Sequence, residues 1–76
     1  MRTTIRQRRA LALALLRARH VAGMTQSEVA LALGHRSTGT ISNYERGARE
    51  PGAIQLAKIA RLYGVRMDSL LEGVKT

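Results

Sequence analysis

Thr38, Ser42 and Asn43 fall in the stretch STGTISNYERG, residues 37–47, at spacings that put them on the outer face of one predicted helix. Their types suit the edges of base pairs. An asparagine amide can pair bidentately with adenine, and a threonine methyl can meet the methyl of thymine. Arg46 and Arg49 follow. Their guanidinium groups suit phosphate oxygens, which position a protein on a duplex without reading its sequence. Gly39 sits among these residues and offers no side chain. Covalent chemistry has no counterpart in the chain. There is no cysteine, and His20 and His35 lack an acid or a second histidine at ligand or triad spacing. Neither a metal, a cofactor nor an enzymatic activity is expected.

Such side chains need a rigid frame. The helix that carries them is expected to start at Ser37 or Thr38, either of which can cap it. Ile41 and Tyr44 face inward, and Gly47 closes it. The helix before it opens with TQSE, residues 25–28. Thr25 and Glu28 there form a capping box, each satisfying an amide of the other's end. Val29, Ala30 and Leu33 make its apolar face, and Gly34 stops it. A steep crossing of the two helices needs small residues, expected at Ala30 and Gly34, and apolar pegs at Val29, Leu33 and Ile41. The pair therefore reads as a helix-turn-helix, whose second helix can enter a major groove.

Three further helices complete the frame. The first spans about Thr4 to Val21, with Leu11, Leu15, Ala18 and Ala22 at helical spacing and Gly23 after it. After the loop GAREPG, with Pro51, a fourth covers Ala53 to Tyr63 through Leu56, Ile59, Ala60 and Leu62. A short fifth covers Met67 to Leu71. No segment alternates like a strand. The expected fold is all-α, a compact five-helix domain with a core of Leu, Ile, Val and Ala, joined by Tyr44 and Tyr63.

Seventy-six residues suffice for one small domain, and the formal charge is +8, from 13 Lys and Arg against 5 Asp and Glu. Residues 1–20 hold Arg2, Arg6, Arg8, Arg9, Arg17 and Arg19 and no acid. Such a surplus implies a polyanionic partner, in most cases nucleic acid. No apolar run approaches the ~18 residues of a membrane span, so no membrane partner is expected.

MTQSEVALALG followed by TISNYERGAREP resembles the phage repressor and Cro type of helix-turn-helix, the Xre-like, lambda-repressor-like family, over roughly Leu11 to Gly73. The resemblance implies a sequence-specific regulator of transcription, a repressor in most members, that binds double-stranded DNA with a recognition helix at about 38–46. It implies base contacts at Thr38, Gly39, Ser42 and Asn43. It implies backbone contacts at Gln26, Arg46 and Arg49, and Arg36, Ser37 and Thr40 are expected to join them. Arg19 and Glu45 match a partly buried pair joining helix 1 to the end of helix 3. Homodimers are usual, here expected through Val65, Met67, Leu70 and Leu71. The implied location is cytoplasmic, bacterial or phage-encoded, on the nucleoid.

Two features depart from the pattern. The turn containing HRST is one residue longer than usual, and Gly39 stands where relatives often carry a long polar side chain. Readout is then expected to shift to Asn43, Thr38 and Arg36. Residues 1–10 form either a basic arm or an extension of helix 1, residues 11–73 the DNA-binding domain, and residues 74–76 a tail. Leu13 and Leu16 lie off the core stripe, and either pack under the basic segment or present a patch to a protein partner. An antitoxin or restriction-modification controller with the same domain is an alternative. Another class is a protein-interaction or co-activator module without specific DNA binding. A membrane-active peptide, suggested by the Arg-rich start, conflicts with the capping and turn chemistry downstream.

Overall fold

A computed structural model describes residues 3–75. In chain order it has α1 (Ile5–Val21), α2 (Gln26–Ala32), α3 (Gly39–Arg46), α4 (Ala53–Tyr63), α5 (Met67–Leu70) and a 3-10 helix, Glu72–Val74. No strand occurs among the described residues. The fold is all-α.

The first helix begins on a capping box that the sequence reading passed over. The Gln7 amide donates to Thr4 Oγ1 at 3.0 Å, and the Thr4 amide donates to Gln7 Oε1 at 3.0 Å. Gln7 Nε2 also donates to the Val74 carbonyl at 3.0 Å. One side chain thus caps α1 and ties down the far end of the chain. Of the two alternatives for the basic segment, residues 5–10 take the helical one. The expected tail is corrected at its first residue, since Val74 packs against the core. Met1, Arg2 and Thr76, which belong to the expected arm and tail, lie outside the described residues. The 3-10 helix sits close against α1: a Cβ on Gly73 would stand 2.9 Å from Ala10 Cβ.

α1 buries Leu11, Ala12, Leu15 and Arg19. Ala22, expected on this stripe, is exposed because it is the C-cap, past the last packed turn. Ala12 takes its place in the core instead, beneath Gly47. Leu15, Val29, Ile41 and Ile59 are the most deeply buried large side chains, with Leu56, Ala60, Tyr63 and Leu70 around them. The tyrosines divide differently from expectation. Tyr63 is buried, whereas Tyr44 is only partly so. Burial, reinforced by the negative charge of Glu45 and opposed by Arg19, pushes the Tyr63 phenol up to about 12, so it stays neutral.

Gly34 also has a different reason from the one expected. A Cβ there would meet nothing within 4 Å, so helix crossing does not require its smallness. Its φ of +79° does require glycine, because the left-handed conformation closes α2. The Gly34 amide donates to the Leu31 carbonyl at 3.1 Å and the His35 amide to the Ala30 carbonyl at 2.9 Å, the pairing that ends a helix cleanly. Ala30 is buried in the core.

Candidate nucleic-acid interface

The interface is built on α2 and α3. Thr25 and Glu28 cap α2 as expected: the Glu28 amide donates to Thr25 Oγ1 at 3.1 Å, and the Thr25 amide donates to Glu28 Oε1 at 2.8 Å. These bonds hold the Glu28 carboxyl below its ordinary value. Val29 and Ile41 peg the two helices to the core. The longer turn between them is fixed from outside, since Gln55 on α4 donates to His35 Nε2 at 2.8 Å. No hydroxyl caps α3. Thr38 is the N-cap but has helical dihedrals and makes no side-chain cap bond, and Ser37 lies one residue further out, exposed. The helix starts instead from the Thr38 carbonyl, which accepts from the Ser42 amide at 2.9 Å.

A buried charge network sets the end of α3 against α1. Arg19 Nε donates to Glu45 Oε2 at 2.6 Å and Arg19 Nη2 to Glu45 Oε1 at 3.0 Å, a fork on a carboxylate. The two side chains are 10% and 4% exposed. Arg19 Nη1 donates to the Met24 carbonyl at 2.9 Å, so the linker after α1 joins the same network. Hydrogen bonding to Glu45 holds the guanidinium above its ordinary value, against the desolvation that lowers it.

Gln26 enters here as well. Its Nε2 donates to Glu45 Oε1 at 2.9 Å. One amide hydrogen is thereby committed, and the other remains for a partner outside the chain. The side chain expected to meet a phosphate is thus tethered to the pair that holds α3.

On the outer face of α3, Gly39 is exposed and Thr40, Ser42 and Asn43 are half-buried. Arg46 is exposed and donates through Nη2 to Asn43 Oδ1, a contact the sequence reading did not foresee. Its only signal there is a spacing of three residues on a helix. Beyond α3, the Asn43 carbonyl accepts from the amides of Ala48 at 3.0 Å and Arg49 at 3.3 Å, which turns the loop back past the helix end. Arg36, Ser37 and Arg49 are exposed, and Thr38 is half-buried. The start of α1 reaches the same loop, where Thr3 Oγ1 donates to Glu50 Oε1 at 2.9 Å.

The surfaces expected to meet other proteins are rearranged. Leu70 is corrected: at 3% exposed it belongs to the core, because α5 is a single turn whose one inward position it fills. Val65, Met67 and Leu71 are partly buried against that core. Leu13, at 44% exposed, and Val65 line one groove between α1 and the α5 region, with Arg17 and Glu72 also on its walls. Leu16 is half-buried. Two surfaces assigned to different partners therefore adjoin.

No group of three or more metal-ligating side chains occurs among the described residues. No helix there is long and apolar enough to cross a membrane. Comparison with known proteins agrees with the frame built above. A family model described as helix-turn-helix matches residues 13–70. The HTH-type transcriptional regulator ImmR of Bacillus subtilis (strain 168) is 44% identical over 57 residues, which cover 75% of this chain and 44% of that protein. The chain thus spans less than half the length of this relative. No solved structure matches it significantly. A capped α2, a glycine-closed turn and an α3 anchored by a buried Arg–Glu fork, all within the matched span, identify the chain as a member of the helix-turn-helix family of the phage repressor and Cro, Xre-like type.

Proposed function

We propose that the chain is a sequence-specific double-stranded DNA-binding regulator of transcription, acting as a repressor. In this reading α3 lies in the major groove, with Thr38, Gly39, Ser42 and Asn43 toward the bases. Gln26, Arg36, Ser37, Thr40, Arg46 and Arg49 hold the backbone. The observation that carries the reading is the anchoring of α3. Its inner side is tied to α1 and α2 through Glu45, while its outer side presents short polar groups next to an arginine. A duplex-reading helix needs that rigidity, since misplacement by an ångström forfeits base contacts. The +8 charge supplies the sequence-independent attraction to phosphates.

The protein acts as a homodimer through Val65, Met67 and Leu71, with Leu13 at the edge of the same face. The role implies a cytoplasmic, nucleoid-associated chain. The antitoxin or controller reading draws its support from exposed Leu13, which a protein partner would cover. Copurification with a small partner that protects Leu13 would favour that version. Asn43→Ala is expected to relax preference at one base pair of each half-site, measured by selection from random duplexes. Unchanged selectivity would contradict the role of Asn43. Equal affinity for the chain's own upstream DNA and for random DNA would favour a protein-interaction module instead.

A further inference from the structure

The chain has 5 Asp and Glu against 13 Lys and Arg, and most of these carboxylates are engaged within it. Glu28 accepts from the Thr25 amide, Glu45 holds Arg19 and Gln26, Glu50 accepts from Thr3, and Asp68 stands 3.7 Å from Arg66. Glu72 makes no ion pair among the described residues. It is exposed, on the 3-10 helix, and forms part of one wall of the groove between α1 and the α5 region. The other wall is α1. There Leu13, 44% exposed, and Arg17, also exposed, stand four residues apart and so share a face. The groove holds about 450 Å³, and the small residues Ala10, Ala14 and Gly73 among its lining leave that space open.

The groove thus carries an exposed leucine, an open apolar space, one cation and one anion. A uniformly acidic partner would be repelled by Glu72, and a uniformly basic one by Arg17. A second copy of the chain brings the same four features, and in a two-fold contact each residue meets its counterpart reciprocally. We propose that a second copy docks in this groove. Leu13 of each copy enters the open space of the other, and Arg17 of each pairs with Glu72 of the other. The charge balance favours this face. Two chains of formal charge +8 repel each other, and a contact centred on Arg17 and Glu72 sets opposite charges together where most of the surface offers cations. Val65, already assigned to the dimer face, lines the same groove. This docking mode rests on the homodimer reading above and names the reciprocal contacts that would build it.

Sedimentation equilibrium of the full chain without DNA tests this, alongside Arg17→Glu, Glu72→Lys, the double swap and Leu13→Ser. All three positions are exposed, so the variants should fold, and urea unfolding checks that they do. Each single swap turns two attractive pairs into repulsive ones and should weaken self-association by about 10-fold or more. The double swap restores both pairs and should recover most of the loss. Leu13→Ser should weaken the dimer without changing its dependence on salt, whereas the single swaps should change it. Net charge alone predicts a different pattern. Arg17→Glu lowers the formal charge and would strengthen association, Glu72→Lys raises it and would weaken association, and the double swap would keep +8. That pattern would overturn the docking mode. A dimer indifferent to every variant would also overturn it, while leaving the homodimer reading in place on another face. An unaltered chain that stays monomeric at all concentrations removes both. So does one that instead binds a different protein over Leu13. DNA reading by α3 is judged separately, by selection of duplexes, and survives each of these outcomes.

Discussion

At the scale of single residues, Gly39 and Glu45 carry opposite weights. Gly39 is the first residue of α3, its φ is not positive, and an added Cβ would meet only Ser37 Oγ, at an ordinary 3.6 Å. The fold does not require it. Gly39→Ala is therefore expected to stabilise the protein by about 0.4–1 kcal/mol, chiefly by restricting the unfolded chain. Urea denaturation measures this, and a lowered midpoint would show that the glycine has a structural duty. If the open space serves an approaching base, the same variant should bind DNA more weakly while unfolding later. Glu45 is the reverse case. Its loss leaves the Arg19 guanidinium buried with only the Met24 carbonyl and His20 beside it. Glu45→Ala should cost about 3–5 kcal/mol, much of a small domain's margin, and urea unfolding would detect it. A cost below about 1 kcal/mol would mean that water reaches the pair in solution. The pairing of Arg19 with Glu45 was legible in the chain through its likeness to a family. The link from Arg46 to Asn43 was not, because two surface side chains three residues apart on a helix have many alternative partners.

At the scale of elements, five helices were readable because their ends are written locally. Thr25 with Glu28 opens one, and glycines close four. The start of α1 was expected at about Thr4, which is its N-cap, with a basic arm over residues 1–10 as the alternative. Its first turn carries no acid and much positive charge, which opposes the helix dipole and reads as an extended arm. The Thr4–Gln7 box and the Gln7–Val74 bond outweigh that repulsion. One of those bonds spans 67 residues, so no local pattern could announce it. The turn before α3 is similar, since the Gln55–His35 bond comes from a different helix. This geometry also changes how the basic segment should be tested. Deleting residues 2–9 would remove the cap of α1 along with the charges. Arg6→Gln with Arg9→Gln keeps the helix and removes two exposed cations. If these arginines lie along phosphates, the variant should bind less tightly and its log affinity should fall less steeply with log salt, by about 0.9 per lost contact. An unaltered slope would place them away from the duplex.

At the scale of the whole molecule, charge and the helix-turn-helix frame point the same way. The positive surplus was visible in composition, and so was the class of partner it suits. What composition could not give is which apolar residues stay outside. Leu70, expected at a dimer surface, enters the core, while Leu13, expected off the core stripe, borders a groove beside Val65. That placement depends on how α5 and the 3-10 helix fold back onto α1, which is a tertiary outcome. The homodimer proposed above would carry two copies of α3, one for each half-site. Half-site spacing therefore reports dimer geometry directly. The central claim is that α3 reads a sequence as part of such a dimer. It is tested most directly by selecting bound duplexes from a random pool and titrating the winner with salt. An inverted repeat with half-site centres about one helical turn apart, and an affinity that falls steeply with salt, is the expected result. A pool left unenriched, with equal affinity for every duplex at each salt concentration, would contradict it.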